Sequence, residues 1–172
     1  MAVYNHVSSK SELLQGIAAV VVEQIRYPTR KGAWRKVIRG CFRALRRACL
    51  AHPGAVRLIE SAEMLPSAVF QPMEITLTVL QRAGFSSVDA LRAYFLLTTF
   101  TLGQVSNQTK GWGRGVDPGT AIMTGRISQK RFPALMQAGT LAGWDFDKSF
   151  EFGLSTILLG LEARATATRA TR

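Results

Sequence analysis

The chain has 172 residues, enough for one domain with a sizeable core, and 47% of them are apolar. Its 22 Lys and Arg outnumber 11 Asp and Glu, a net charge of +11 that favours an anionic partner. With 19% charged residues it is unlike a highly charged disordered chain. The longest uncharged apolar stretches, Ile17–Val22 and Ala93–Gly103, fall short of the roughly 20 residues a bilayer span needs. No basic-then-apolar leader opens the chain, so a soluble cytoplasmic protein without a membrane partner is expected.

The hydrophobic period is helical almost throughout. Ser9 followed by Glu12 reads as a capping box. Leu13, Leu14, Ile17, Val20, Val21 and Ile25 then form one stripe that Pro28 and Gly32 terminate. A second helix runs from about Ala33 to Ala51. Trp34, Val37, Ile38, Cys41, Phe42, Leu45 and Cys49 share one arc of it, and Arg35, Lys36, Arg39, Arg43, Arg46 and Arg47 gather opposite. The basic arc reads as a solvated face: no aromatic residue interleaves to stack on bases, although a basic stripe is also the footprint of phosphate binding. His52-Pro53-Gly54 breaks this helix, with His52 as a cap at its C-terminus. Cys41 and Cys49, eight positions apart, would stand about 12 Å apart at 1.5 Å per residue, beyond the reach of a disulfide. They do not make a zinc site with His6 and His52 either, and are expected to be buried.

A short helix carrying Val56, Leu58, Ile59 and Met64 stops at Pro66. Another starts near Pro72 and ends on Gly84 as its C′ residue. Ser87-Val88-Asp89 opens a helix to about Gln108 that is apolar nearly all round and so must be covered on more than one side. Lys110 to Ser128, with Gly111, Gly113, Gly115, Pro118, Gly119 and Gly125, reads as a long loop. A short helix follows Pro133. The last long one spans about Asp147 to Ala165, with Phe150, Leu154, Ile157, Leu158 and Leu161 on one stripe and Gly153 and Gly160 at heptad spacing. The Ala/Thr/Arg tail is expected to fray. Two such over-apolar helices in a chain this size point to a homodimer.

The most specific text is the opening, Ala2 to Ala18. Val3-Tyr4-Asn5-His6-Val7 and Lys10-Ser11-Glu12-Leu13-Leu14 resemble the end of the helix-turn-helix of TetR-type transcriptional regulators and the entry to their linking helix. The resemblance extends along the chain through His52-Pro53, Leu80-Gln81-Arg82-Ala83-Gly84-Phe85 and Phe100-Thr101-Leu102-Gly103. It continues in Arg131-Phe132-Pro133-Ala134-Leu135, Phe150-Glu151-Phe152-Gly153-Leu154 and Gly160-Leu161-Glu162, all similar to the regulatory domain of the tetracycline-repressor branch.

This resemblance implies an all-α, multi-helix regulatory fold that dimerises through a four-helix bundle. It implies a remnant of the recognition helix plus the linking helix over 1–26, because the family's first helix, supporting helix and the start of its recognition helix come before the tyrosine carried here by Tyr4. A ligand-binding and dimerisation domain over 32–165 and a disordered tail over 166–172 complete the expected organisation. Tyr4, His6 and Lys10 occupy the family's DNA-contacting positions, so operator DNA is a partner of an intact version. The pocket implied for a small, mostly apolar effector draws on Trp34, Phe42, Leu58, Met64, Phe70, Met73, Leu77, Leu97, Phe100, Thr101 and Gln104, with Thr98 and Asn107 as further polar groups. Tyr94, Phe95, Leu102, Phe150, Gly153, Leu154, Ile157, Gly160 and Leu161 are the expected dimer interface. Tetracycline-responsive members place a metal-binding histidine before the Phe-Thr-Leu-Gly run. Thr99 stands there in this chain, which argues against a magnesium–tetracycline complex, and no metal or cofactor is expected.

No Gly-rich phosphate loop, nucleophilic triad spacing or acidic metal cluster suggests an enzyme. The reading is a ligand-responsive transcriptional regulator, most simply a repressor. In this mechanism the effector shifts the Pro66–Pro72 region and the Ser9–Ile25 helix, and so the spacing of two DNA-binding heads. The competing reading is a small-molecule-binding dimeric helical module with no DNA-binding role.

Overall fold

In the computed structural model the described residues are 16, 19–54, 70–110, 128, 130–137 and 145–170. They contain five assigned helices, α1 (Trp34–Ala51), α2 (Phe70–Arg82), α3 (Ser87–Lys110), α4 (Pro133–Gln137) and α5 (Phe146–Ala170), and no strand. Residues 19–23 are also helical and lead through an irregular stretch into α1. The expected short helix around Val56–Met64, the Lys110–Ser128 loop apart from its ends, and the capping box at Ser9 lie outside the described residues.

Each boundary has a local cause. At the end of α2, Gly84 N–H donates to the Gln81 carbonyl at 2.9 Å and Phe85 N–H to the Leu80 carbonyl at 3.1 Å. This is a Schellman closure, and it requires the positive φ of 96° that Gly84 adopts without steric penalty. Leu80 and Phe85, the apolar pair flanking that closure, are both buried. Two residues later Ser86 caps α3. Its hydroxyl accepts the Asp89 N–H at 3.1 Å and donates to the Asp89 carboxylate at 2.9 Å, which puts the cap one residue before Ser87. Helix α5 runs on to Ala170, five residues past the Ala165 at which the period places its end. Ala and Arg are among the stronger helix formers, and the Thr166 hydroxyl folds back on the Glu162 carbonyl at 3.0 Å.

Helix α3 is the centre of the bundle and packs against α1, α2 and α5, while α1 also packs on α2. The core draws Val37, Ile38, Cys41 and Phe42 from α1, and Ile75, Val79 and Leu80 from α2. It adds Ala90, Ala93, Tyr94 and Leu97 from α3, and Phe150, Leu154, Leu158 and Leu161 from α5. Burying each large side chain of this set stabilises the fold by roughly 1.5–3 kcal/mol relative to exposure. A second cluster joins Val22 and Ile25 to Ala44, so the 19–26 stretch lies along another side of α1. A third joins Cys49 to Val105. The close contact of α5 with α3 depends on Gly153. A Cβ there would collide with the Phe100 ring, and Phe100 is stacked on Phe150 with ring centroids 5.6 Å apart.

Candidate functional site

The interior beside α1 holds a group of polar side chains. Tyr27 leaves the 19–26 stretch and packs against both the main core and the Val22–Ile25–Ala44 cluster. Its hydroxyl is buried and has no hydrogen-bond partner among the described residues, while the Thr98 hydroxyl on α3, also buried, lies against the Tyr94 phenol. Burial raises the Tyr27 phenol well above its ordinary range, and the neighbouring Tyr94, Cys41 and Cys49 add to that shift. Burial also raises the Tyr94 phenol, and pushes the Cys41 thiol up to about 11, so at neutral pH this is a set of neutral donors and weak acceptors in an apolar setting. An unmade hydrogen bond inside a protein costs about 1–3 kcal/mol, so the Tyr27 hydroxyl calls for an explanation.

The expected pocket residues divide into groups. Phe42 and Leu97 are fully in the core, where Phe42 meets Tyr94 at a ring separation of 6.4 Å. Thr101 is also fully buried, and its hydroxyl already donates to the Leu97 carbonyl at 2.8 Å. Trp34, Met73, Leu77 and Phe100 are partly buried against that core, with Trp34 edge-on to Phe85 at 5.5 Å. Gln104 is half-buried, as is Asn107, whereas Phe70 is exposed. Leu58 and Met64 lie outside the described residues, as do Tyr4, His6 and Lys10. Tyr27 was missed because it falls in the irregular stretch between two amphipathic helices, where periodicity carries no signal.

Two surface clefts among the described residues use none of the expected pocket residues. One, of about 380 Å³, lies between the start of α3 and the end of α5 and is bordered by Phe85, Ser86, Asp89, Arg92, Leu96 and Leu161. The other, of about 400 Å³, lies between 21–26 and α1 and is bordered by Val21, Ile25, Arg26, Ala44, Arg47 and His52. His52 caps α1 with its backbone, its N–H donating to the Ala48 carbonyl at 3.0 Å, while its side chain borders this second cleft.

Of the basic arc of α1, Lys36 and Arg47 face solvent as expected, whereas Arg35, Arg39, Arg43 and Arg46 pair with acids. Arg35 Nη1 meets Glu162 at 2.7 Å. Arg43 makes a two-pronged contact with Glu151 at 2.6 and 2.7 Å. Arg39 reaches Glu151 at 3.3 Å and donates to the Ser155 hydroxyl at 3.0 Å. Arg46 is buried, donates to Gln108 and meets Asp147, both at 2.7 Å, and lies over the Phe150 ring at 4.8 Å. The Arg43 hydrogen bond holds the Glu151 carboxyl below its usual range against the opposing effect of burial. A signal for this seam was present in the sequence. Asp147, Glu151 and Glu162 fall within about 60° of one another at 100° per residue, and Arg35, Arg39, Arg43 and Arg46 within about 80°.

The expected dimer residues also divide. Tyr94, Phe150, Leu154 and Leu161 are buried in the chain's own core, so they are not available to a partner subunit. Gly153 is taken up by Phe100, and Ile157 leans on the core. Phe95 is exposed and Leu102 half-buried, and Gly160 has open space above it. The outward apolar groups that the periodicity did not single out are Phe152, 77% exposed, and Leu159, 54% exposed, together with Val88 and Leu91 on α3. An over-apolar helix does not reveal by itself which stripe its own chain will use.

Among the described residues no group of three potential metal ligands occurs, and no helix is long and apolar enough to cross a membrane. The family described as tetracyclin repressor-like, C-terminal domain, matches residues 28–165. The chain is 30% identical to the class A tetracycline repressor protein from transposon 1721 of Escherichia coli, over 98% of this chain and 77% of that protein. Among solved structures it is similar to apo ActR from Streptomyces coelicolor, at 29% identity and a TM-score of 0.78, covering 96% of this chain and 79% of ActR. ActR in complex with actinorhodin is similar at 28% identity and a TM-score of 0.76, covering 94% of this chain and 80% of that one.

Proposed function

The chain belongs to the TetR family of transcriptional regulators through its tetracyclin repressor-like C-terminal domain, and we propose that its effector binds against the interior hydroxyls of Tyr27 and Thr98. As a member of that family it is a ligand-responsive transcriptional regulator. The observation that carries the effector site is the buried Tyr27 hydroxyl, which has no partner among the described residues. A small, mostly apolar molecule with one or two polar atoms would satisfy Tyr27 and reach Thr98 while its body lies against the partly buried Phe100 and Gln104. That the similar ActR binds actinorhodin supports an effector site in this fold.

Tyr27 ties the site to the 19–26 stretch, so an occupant that engages its hydroxyl biases the position of that stretch against α1. Because effector and operator are linked through one equilibrium, the effector must bind the two arrangements unequally. Operator contacts by Tyr4, His6 and Lys10 in 1–26, a regulatory unit over 32–165 and a cytoplasmic location complete the reading. The protomers pair through α3 and α5, with Phe95, Leu102, Phe152, Leu159 and Gly160 in the contact.

Tyr27→Phe and Thr98→Val test the site directly. Without an occupant Tyr27→Phe removes an unsatisfied group and should raise the melting temperature by roughly 2–4 °C, the equivalent of about 1 kcal/mol in a chain of this size, whereas Thr98→Val gives up its contact with Tyr94 and should change it little. Native mass spectrometry of the wild-type chain should show a dimer carrying a co-purified small molecule, and the variants should lose that molecule. A fall in stability in both variants, with the bound molecule kept, would sink the assignment. Gly160→Trp, at a position open in the protomer, should yield a folded monomer in analytical ultracentrifugation, and an intact dimer would place the contact elsewhere.

A further inference from the structure

The interior hydroxyls leave the second cleft unaccounted for. Its walls are set by residue size. Ala44 and Ala48, one turn apart on α1, pack their short side chains against Ile25 at the base, which leaves an apolar-floored groove of about 400 Å³ above them. Val21, Ile25 and Ala44 are buried, while Arg26, Arg47 and His52 stand exposed around the rim. Arg26 and Arg47 make no ion pair with any acid among the described residues, in contrast to the four arginines on the opposite flank of α1.

We propose that this cleft is a second ligand site, for a small amphiphilic carboxylate. Two guanidinium groups present forked donors that match a carboxylate, and the imidazole adds a further polar group at the same rim. The floor of Val21, Ile25, Ala44 and Ala48 takes a short apolar body, whose transfer from water contributes in proportion to the area covered. Charge and floor are both required. The rim alone would hold any small anion weakly, and the floor alone would take a neutral alcohol as well as an acid.

Isothermal titration of the full chain with octanoate, octanol and inorganic phosphate tests both halves. Octanoate should bind saturably and more tightly than octanol or phosphate. Arg26→Gln and Arg47→Gln should each weaken octanoate by about tenfold, the usual scale for one charge-assisted contact. Ala48→Trp, which fills the groove, should abolish binding while circular dichroism reports an unchanged helical fold. Tyr27→Phe should leave octanoate binding unchanged, since that hydroxyl belongs to the interior site. No octanoate binding, octanol binding as tightly as octanoate, or phosphate doing so would each overturn the proposal. So would a loss in Tyr27→Phe combined with none in Arg47→Gln, because octanoate would then occupy the interior, an outcome that leaves the effector reading standing.

Discussion

Helix α1 has two basic flanks with opposite fates. On the flank towards α5, Arg35, Arg39, Arg43 and Arg46 each find a carboxylate, and Arg46 is buried over Phe150. On the flank towards 19–26, Arg47 stays exposed beside a cleft with no acid among the described residues in reach. The residue type is the same and the helix is the same. What differs is the neighbour: α5 carries its acids in register with the first set, and the 21–26 wall offers Val21 and Ile25. A run of like charges on a helix therefore says nothing about solvation until the facing element is known.

The largest effect should come from breaking the paired flank without touching a charge. Gly153→Val places a branched side chain where even a Cβ meets Phe100, and should cost about 3 kcal/mol by overpacking in a urea melt. Because α5 also carries Asp147, Glu151 and Glu162, double-mutant coupling between Arg43 and Glu151 should fall in that background. Unchanged coupling would mean that the pairs form independently of the α3–α5 contact.

Arg46→Ala comes next, at about 2 kcal/mol, most of it lost packing of the long stem and the ring contact rather than lost charge. Asp147 is largely exposed, so Asp147→Asn should cost much less. Equal losses from the two would show that the ion pair, not the burial, carries the contact.

Glu151→Gln should be the smallest, under about 1 kcal/mol at neutral pH, since its pairs are part-exposed and screened. Its signature is pH dependence. The folded carboxyl is held below the ordinary value, so its contribution is complete above the unfolded value of about 4.3 and is lost as pH falls through the lower folded value. The wild type should lose more stability than the variant across that acid window, as read by melting at a series of pH values. Parallel profiles would remove Glu151 from the seam.

Much of the helical layout was legible because its causes are local. The C′ role of Gly84 and the arcs of Trp34, Val37, Ile38 and Phe42 follow from backbone sterics and a 3.6-residue period, which a neighbour hardly alters. The effector site was only partly so. Thr98 was marked as a polar candidate, whereas Tyr27 sits outside any periodic segment. Phe42, Leu97 and Thr101 were named as lining, and the fold buries all three in the core.

By itself the sequence determined an all-helical chain, since periodicity and caps depend on residues near one another, and the motifs spread along it carried the resemblance to TetR-type regulators. Only the tertiary structure decided which surface each helix spends on its own core. Tyr94, Leu154 and Leu161 were expected at a subunit contact and are interior, while Phe152 and Leu159 face outward. The same holds for the arginines of α1. Burial and ion pairing are properties of two surfaces, and the relative rotation of two helices distant in the chain is set by side-chain packing between them.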